Sequence, residues 1–202
     1  MQEKLETVYQ FDMVHDGQHV FRELLQAMAN PGQIRDINKE ASAFAGDQRA
    51  MLALGCTLLD NEEKMYIEKN PRLAEALHSL TLCRESALEE ADFVFLSSEM
   101  NFGSLEQVFR HVKHGTYADP HDSATIVLFT NDMDGDEVMT LQGPGVDGER
   151  SLMIASYVKQ VVQLLNRQQI EYPLGIDLVF CDPKGQLLAV PRLIKADAEE
   201  VR

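Results

Sequence analysis

The stretch YPLGIDLVFCDPKGQLLAVPR, Tyr172 to Arg192, carries the strongest fold signal in this chain of 202 residues. Two apolar runs flank the letters DPKG, and this proline and glycine favour a turn between two strands. We therefore predict a β-hairpin in which Cys181 lies opposite Gln186. In that register Asp177 lies opposite Val190, within a strand that should be at least half buried.

The hairpin contains two charged residues that require an explanation. Asp177 would lie diagonal to Arg192 across the two strands, within reach of a long side chain. An ion pair with Arg192 would spare Asp177 the cost of a bare charge in a half-buried strand, so the spacing predicts a structural pair that fixes the register. The alternative is that Arg192 offers its planar guanidinium to a phosphate or to a partner's carboxylate.

Outside the hairpin, helix and strand signals follow one another along the chain, which is typical of α/β proteins. Strands are predicted at KMYIE, at ADFVFLS (Ala91 to Ser97), at SATIVLF (Ser123 to Phe129) and at EVMTL. Helices are predicted from Asp16 to Asn30, after Asp47, from Pro71 behind the cap Asn70, from Ser104 to Gly115 and from about Glu149 to Arg167. The predicted fold is a single three-layer α/β domain, spanning residues 1–202, with a central mixed sheet.

The fourth of these helices has the clearest start signal. Ser104 and Gln107 match the capping box, in which each side chain accepts a hydrogen bond from the other residue's free backbone N–H. Gly115 is the predicted end of the helix. His114 lies just before it, where a positive charge would interact favourably with the helix dipole.

An acidic stretch, NDMDGDE, runs from Asn131 to Glu137 and crowds carboxylates as a calcium loop does. With Asp132 as the first ligand, however, the sixth residue is an acid, where an EF-hand loop requires glycine. We therefore expect a solvated hairpin turn between two strands, with Asp134 and Gly135 at its tip.

The letters GPGVDG, Gly143 to Gly148, match the G-x-G-x-x-G pattern of dinucleotide-binding loops. They follow a predicted strand and precede a predicted helix, which is the context that a phosphate-binding turn requires. Pro144 removes one backbone donor from such a cradle, and no acid at a second strand end follows at the usual distance. The sequence favours a plain strand-to-helix turn, and phosphate binding by Gly143 and Gly145 remains the alternative.

Three histidines, His111, His114 and His121, could supply nitrogen ligands to zinc. No nearby Cys or Glu completes a recognised metal-binding spacing, so no metal site is predicted. The chain also lacks the G-x-S-x-G and H-E-x-x-H motifs and a Cys–His protease arrangement. The residues therefore predict no catalytic centre within this chain.

The composition narrows the class of partners. The chain has 33 acidic and 18 basic residues, a formal net charge of −15, which argues against nucleic acid or an anionic membrane surface as the main partner. The three cysteines are isolated and odd in number, which indicates reduced thiols. Met1 to Asn30 shows no signal-peptide pattern, and no apolar run is long enough for a membrane helix. We expect a cytoplasmic protein.

The C-terminal hairpin stretch resembles that of the PhnH family, whose members are subunits of bacterial carbon–phosphorus lyase. The letters HVFRELLQAMANPGQI, His19 to Ile34, resemble the same family's N-terminal helix and its Pro-Gly stop. SATIVLF and LQGPGV occur between them in the family's order, so the resemblance spans nearly the whole chain. This sequence departs from the pattern after the last Pro-Arg, where Leu193 and Ile194 replace the expected pair of threonines.

The resemblance implies a role in phosphonate utilisation during phosphate starvation, within a core complex that also contains the PhnG, PhnI and PhnJ subunits. That complex transfers ribose triphosphate from ATP to a phosphonate, with the chemistry assigned to the PhnI and PhnJ subunits. The resemblance further implies a homodimer in isolation, a fold like that of the pyridoxal-phosphate-dependent transferases without their active site, no cofactor and no catalytic residue. The alternative is a stand-alone nucleotide- or phosphate-binding enzyme that uses Gly143, Gly145 and Arg192.

Overall fold

The chain is organised around a seven-stranded sheet, as a computed structural model of residues 10–168 and 170–197 shows. The described residues form six α-helices: α1 (His15–Ala29), α2 (Asn38–Ala41), α3 (Arg49–Leu58), α4 (Pro71–Thr81), α5 (Phe102–His111) and α6 (Ser156–Asn166). They also form ten strands: β1 (Arg35–Asp36), β2 (Lys64–Ile67), β3 (Arg84–Glu85), β4 (Phe93–Leu96), β5 (Thr125–Phe129), β6 (Glu137–Gln142), β7 (Arg150–Ile154), β8 (Asp177–Cys181), β9 (Gln186–Val190) and β10 (Lys195–Ala196).

The strand order in the large sheet is β1-β9-β8-β5-β4-β2-β3. Strands β3, β2, β4, β5 and β8 run parallel, whereas β9 and β1 are antiparallel to their neighbours. The central strands are continuous apolar runs because helices cover both faces of a parallel sheet. The predicted α/β class and mixed central sheet are therefore confirmed.

Alternate residues of each central strand contribute to two separate hydrophobic cores. On β5, Ile126 and Leu128 pack with α5, α6 and a small second sheet, whereas Val127 and Phe129 pack with α1, α3 and α4. The same alternation holds on β4, where Phe95 alone of Val94, Phe95 and Leu96 faces the second core. This period of two arises because successive strand side chains point to opposite faces. Helices α1, α3 and α4 thus form one layer, the seven-stranded sheet forms a second, and α5, α6 and the small sheet form a third.

The hairpin of β8 and β9 forms as predicted, but its register differs by one residue. Leu178 pairs with Val190 and Cys181 pairs with Leu187, so the predicted pairing of Cys181 with Gln186 is wrong. The turn includes one more residue than expected because the Asp182 carboxylate accepts the Gln186 backbone N–H at 2.9 Å. That local hydrogen bond keeps Gln186 from lying opposite Cys181.

The stretch from Asn131 to Asp136 is not the predicted hairpin turn. It carries the chain from β5 in the large sheet to β6 in a separate antiparallel sheet, whose strand order is β10-β6-β7. The Lys184 ammonium, from the β8–β9 turn, lies 2.8 Å from an oxygen of Asp132 and 2.7 Å from one of Asp134. Asp132 and Asp134 therefore tie the segment that crosses between the two sheets to the β8–β9 turn.

The predicted helix from Glu149 to Arg167 is wrong over its first part. Arg150–Ile154 forms β7, which pairs with β6 along five residues, and the helix α6 begins only at Ser156. Because the segment is short, its apolar residues fit both the helical period of 3.6 residues and the strand period of two. Pairing with β6, a contact that local sequence does not reveal, decides in favour of the strand.

Helix boundaries follow the cap residues. The Asn70 side chain accepts the Leu73 backbone N–H at 3.1 Å, and Pro71 is the first helical residue, as predicted. The start of α5 is different, since Asn101 rather than Ser104 is its cap and accepts the Ser104 N–H at 2.9 Å. The predicted capping box is wrong for this reason, and α5 ends at His111, before Gly115.

The edges of both sheets are short with one exception. Edge strands β1, β3 and β10 contain two residues each, whereas β7, at the edge of the small sheet, contains five. Charged residues make up both β1 and β3, which discourages pairing with another strand.

Candidate functional site

Arg192 and Asp177, which the sequence paired, lie in contact. The distance from Arg192 Nη2 to Asp177 Oδ2 is 2.7 Å, and the Arg192 backbone N–H donates to Asp177 Oδ1 at 2.9 Å. The shifted register makes this double contact possible, because Asp177 then reaches the backbone of Arg192 as well as its side chain. Both side chains are largely buried, at 21% and 13% exposure.

The remaining contacts of Arg192 are also within the protein. Its Nη1 donates to the Pro120 carbonyl at 2.8 Å, and a Cβ on Gly175 would lie only 2.9 Å from the Arg192 Cβ. The cavity beside the side chain measures about 20 Å³, which is close to the room that one water molecule requires. The geometry supports a structural tie between the hairpin and the loop before β5; a ligand-binding role for Arg192 stays a prediction.

The Gly143–Gly148 loop connects two antiparallel strands, β6 and β7. The predicted context of strand, loop and helix is therefore wrong, and no helix N-terminus follows the loop to attract a phosphate. Gly143 and Gly145 have φ angles of 137° and 83°, in the left-handed region that favours glycine.

Close packing accounts for both glycines. A Cβ on Gly145 would lie 2.5 Å from the carbonyl oxygen of Ala29, at the end of α1, and a Cβ on Gly143 would lie 2.9 Å from that of Leu193. Next to this loop, Arg150 Nη1 donates to the Pro31 carbonyl at 2.8 Å. The loop thus packs against the C-terminal end of α1. Phosphate binding by Gly143 and Gly145 stays a prediction, and no helix dipole follows the loop to support it.

The histidines do not converge. His111 Nδ1 lies 2.7 Å from the Gln107 carbonyl oxygen, and the backbone of His114 forms an isolated antiparallel β-bridge with that of Ser123. Helix α5 ends at His111, so the prediction that His114 lies at its C-terminal end is wrong. Burial lowers the pKa of the His114 imidazole. No group of three or more His, Cys, Asp or Glu residues could hold a metal ion within the described part of the chain.

All three cysteines are free and buried. Burial raises the thiol pKa of Cys56 to about 12 and that of Cys83 to about 11, and it raises the pKa of Cys181 as well. Because the thiolate is the reactive form, these residues behave as small apolar side chains at neutral pH.

A polar cleft of about 420 Å³, which the sequence did not reveal, lies at the carboxyl ends of β2 and β4. From β2 the chain enters α4, which packs on one face of the sheet, whereas from β4 it enters α5, which packs on the opposite face. Two neighbouring parallel strands whose connections leave to opposite faces form a topological switch point, where α/β proteins bind ligands.

Residues from three separate loops line this switch-point cleft. Gln48 Nε2 donates to the Ser97 carbonyl at 2.8 Å, and Asn70 Nδ2 donates to Gln48 Oε1 at 2.9 Å, which fixes the two amide groups. Ser97, Ser98, Glu99, Met100, Asn101 and Ser104 form the opposite side. Two signals in the sequence point here once the strand order is known: Asn70 and Asn101 are helix caps in the loops that follow β2 and β4.

No helix within residues 10–168 and 170–197 has both the length and the apolar character that a membrane crossing requires.

Comparison with known proteins identifies the family. The family model described as "Bacterial phosphonate metabolism protein (PhnH)" matches residues 10–197. A relative from Rhizobium meliloti (strain 1021), the "Alpha-D-ribose 1-methylphosphonate 5-triphosphate synthase subunit PhnH", is 25% identical over 195 residues, 93% of this chain and 94% of the relative. A second, the "Putative C-P lyase subunit protein HtxG" of Stutzerimonas stutzeri, is 23% identical over 169 residues, 80% of this chain and 76% of the relative. Since the family model covers nearly the whole sequence, this chain belongs to the PhnH family of bacterial phosphonate metabolism proteins.

Proposed function

We propose that this protein is a subunit of a carbon–phosphorus lyase system for phosphonate catabolism. The observation that carries the proposal is the family match over residues 10–197, together with a full-length relative named as a subunit of the ribose methylphosphonate triphosphate synthase. In this role the chain is required, with partner subunits, for transfer of ribose triphosphate from ATP to a phosphonate, and is itself non-catalytic.

The residues are consistent with a non-catalytic role. The predicted site residues Gly143, Gly145 and Arg192 all have structural contacts that account for them. The buried cysteines have raised pKa values and are poor nucleophiles at neutral pH. We propose that partner subunits of the PhnG, PhnI and PhnJ type carry out the chemistry, in the cytoplasm of phosphate-starved cells.

Two finer features belong to the same proposal. The first is that the isolated chain is a homodimer. The second is that its fold is related to the pyridoxal-phosphate-dependent transferases, without their cofactor. The mixed sheet with helices on both faces supports that relationship. Among the eight lysines, only Lys159 lies in a Ser-x-x-Lys spacing, which begins at Ser156, and its ammonium lies 3.3 Å from a Glu137 oxygen and 3.7 Å from an Asp197 oxygen.

The proposal is tested by co-expression with PhnG, PhnI and PhnJ subunits from one organism, with an affinity tag on the PhnI subunit. We expect this chain to co-purify in a single complex, and we expect no turnover of ATP or a phosphonate by the chain alone. A stable and active core complex that assembles without this chain would contradict the proposal.

The alternative, a stand-alone nucleotide-binding enzyme that uses the Gly143–Gly148 loop, is less well supported because the loop precedes a strand rather than a helix. Calorimetric titration of the purified chain with ATP and pyridoxal phosphate separates the two functions. Gly145→Asp is a poor probe, since any Cβ there meets the Ala29 carbonyl. Gly148→Asp is the better probe, because nothing lies within 4 Å of a built Cβ and Asp tolerates the left-handed φ of 68° better than most residues.

A further inference from the structure

Strand β7 forms the longest open sheet edge among the described strands. It contains five residues, Arg150–Ile154, whereas the other edge strands, β1, β3 and β10, contain two each. An edge strand presents unpaired backbone N–H and C=O groups, with which a strand of another chain can pair. Strand β7 therefore offers the best template for such pairing in the part of the chain that the structure describes.

The hydrogen bonds of β6 show which backbone groups of β7 are free. The Thr140 N–H donates to Asp197 Oδ1 at 3.0 Å, and the Thr140 carbonyl accepts the Asp197 N–H at 2.7 Å, so both groups point towards the β10 side. Thr140 lies opposite Ser151 in the pairing of β6 with β7. Because hydrogen-bonded and non-hydrogen-bonded pairs alternate along antiparallel strands, Ser151 and Met153 direct their N–H and C=O groups away from β6, to the open edge. No other described strand or side chain accepts a hydrogen bond from these two N–H groups.

The side chains along this edge include no carboxylate. Ser151 and Met153 point away from the core, and Met153 is 62% exposed beside the exposed Val138 on β6. The Arg150 guanidinium is engaged within the chain, since its Nη1 donates to the Pro31 carbonyl at 2.8 Å. Proteins commonly protect edge strands with charged residues, and both β1 and β3 carry such residues here. The lack of this protection on β7 favours a strand that pairs with another chain.

A second copy of the same chain fits this edge. A two-fold axis beside Leu152 would place Ser151 opposite Met153 of the second copy in antiparallel pairing. The outward N–H and C=O groups of these two residues would then form four hydrogen bonds across the seam. Leu152 would lie beside Leu152 of the second copy, and the apolar faces of the two small sheets would lie on the same side of the joined sheet.

The distribution of charge also favours a second copy in this register. Two chains that each have a net charge of −15 repel one another, so they approach best where carboxylates do not face each other. One residue before the strand, Glu149 would come opposite Ala155 of the second copy, which is the N-cap of α6 and provides no side-chain cap. A carboxylate is favourable at a helix start because the free N–H groups there carry a partial positive charge. The symmetric dimer would contain this complementary contact twice.

We propose that β7 is the contact between two copies of this chain, which join their small sheets into one sheet of order β10-β6-β7-β7-β6-β10. This inference rests on the homodimer that forms part of the proposed function, and it names the surface through which that homodimer forms. A seam between two short strands lies at the low end of protein interface sizes, so the dimer should dissociate on dilution.

The first test removes an outward N–H group. Proline is tolerated in an edge strand where its missing N–H would face solvent, so Met153→Pro should fold but lose two of the four hydrogen bonds of the dimer. Met153→Ala removes the side chain and keeps both bonds. Sedimentation velocity of the full chain over a range of concentrations measures the dissociation constant of the dimer. We expect this constant to be about thirtyfold larger in Met153→Pro than in Met153→Ala, which corresponds to about 2 kcal/mol.

Two glutamate variants compare this seam with another apolar surface and do not depend on how Met153→Pro folds. Leu25 is an exposed apolar residue on α1, away from β7. Met153→Glu should increase the dissociation constant by about tenfold, because it introduces two carboxylates into the seam. Leu25→Glu, the matched control, should leave the dissociation constant unchanged.

Cysteine cross-linking tests the register. Hydrogen-bonded antiparallel pairs have Cα atoms about 5.5 Å apart, which is within the range of a disulfide. Under mild oxidation a mixture of Ser151→Cys and Met153→Cys chains should form a covalent dimer. Either variant alone should not, because neither residue lies opposite itself and the three native cysteines are buried.

The outcomes separate the seam from the rest of the proposed function. A dimer that persists unchanged in Met153→Pro and Met153→Glu, or that is lost in Leu25→Glu, would overturn the assignment to β7 and leave the homodimer standing. A chain that is monomeric at every concentration would overturn both. The role in the lyase system is measured separately, by co-purification with the partner subunits.

Discussion

Arg192 shows how one side chain can organise three segments. The side chain donates three hydrogen bonds, two to Asp177 on β8 and one to the Pro120 carbonyl in the loop before β5, and the Arg192 backbone N–H donates a further one to Asp177. Lysine could keep the charge but could not reach these acceptors at once, because its ammonium is a single point rather than a planar fork.

Arg192→Lys should therefore lower the free energy of unfolding by about 1–2 kcal/mol, because the largely buried Asp177 carboxylate would lose some of its hydrogen bonds. Urea denaturation measures the change. Arg110→Lys is the matched control, because Arg110 pairs with Glu106 on an exposed helix face and should change stability by less than about 0.5 kcal/mol. An unchanged stability in Arg192→Lys, with altered assembly or ligand binding, would favour the functional interpretation instead.

Asp182 is a fully buried acid at the end of β8. Its Oδ1 accepts the Gln186 N–H, but its Oδ2 has no partner among the described residues. Burial raises the pKa of this carboxyl above its usual range, with several backbone N–H groups opposing the shift.

The pH dependence of stability follows from that direction. A carboxyl with a raised folded-state pKa contributes stability that is complete below the unfolded-state pKa of about 3.9 and is lost as pH rises through the folded-state value. Asp182→Asn removes this loss, so its stability relative to wild type should rise as the pH increases above about 4 and should level off above the folded-state pKa. Urea denaturation across this range checks it, with the exposed Asp147→Asn as the charge-matched control. A constant difference at every pH would contradict the assignment.

Helix α5 shows where local sequence signals compete. Both Asn101 and Ser104 are good cap residues, and the S-x-x-Q spacing favours Ser104. The structure uses Asn101, which adds a turn N-terminal to Ser104 and places that turn against the cleft. Which residue caps the helix depends on where the loop after β4 ends, and tertiary contacts determine that position.

Substitution at both positions separates the two caps. Asn101→Ala should destabilise the protein by about 1 kcal/mol, because the Ser104 N–H loses its acceptor. Ser104→Ala should change the free energy of unfolding by less than about 0.5 kcal/mol, since this side chain caps nothing. Thermal or urea denaturation of the two variants measures this. The reverse order of effects would restore the predicted capping box.

The sequence predicted the elements best where burial is complete. Within the predicted runs Ala91–Ser97 and Ser123–Phe129, residues Phe93–Leu96 and Ile126–Phe129 are all apolar because both faces of their strands are covered, and both runs form central strands. Arg150–Ile154 was predicted as helix because a strand at the edge of a small sheet has no such run. The cleft was missed for a related reason: Gln48, Asn70 and Ser97 come together only through strand order, which no local pattern encodes.

At the level of the whole chain, the two cores share the same strands. Because β4, β5 and β8 contribute alternate residues to both, neither core can form while the sheet is absent. We propose that both belong to one domain, although residues 1–9, 169 and 198–202 of the predicted span lie outside the described part.

Two tryptophan reporters test this cooperativity in a chain that has no tryptophan. Phe11→Trp lies against the core of α1, α3 and α4, and Leu164→Trp lies against the core of α5 and α6. We expect the two fluorescence signals to change with the same urea midpoint, since a single domain unfolds in one transition. Midpoints that differ by more than the effects of the two substitutions themselves would indicate separate units.

The lengths of the edge strands limit how other chains can attach. Strand addition requires a row of free backbone N–H and C=O groups, and β1, β3 and β10 offer two residues each. Only β7, among the described strands, presents a five-residue edge. A neighbouring subunit that docks elsewhere on the described surface must therefore recognise side chains on helices and loops, and an inserted peptide strand has one place to continue a sheet.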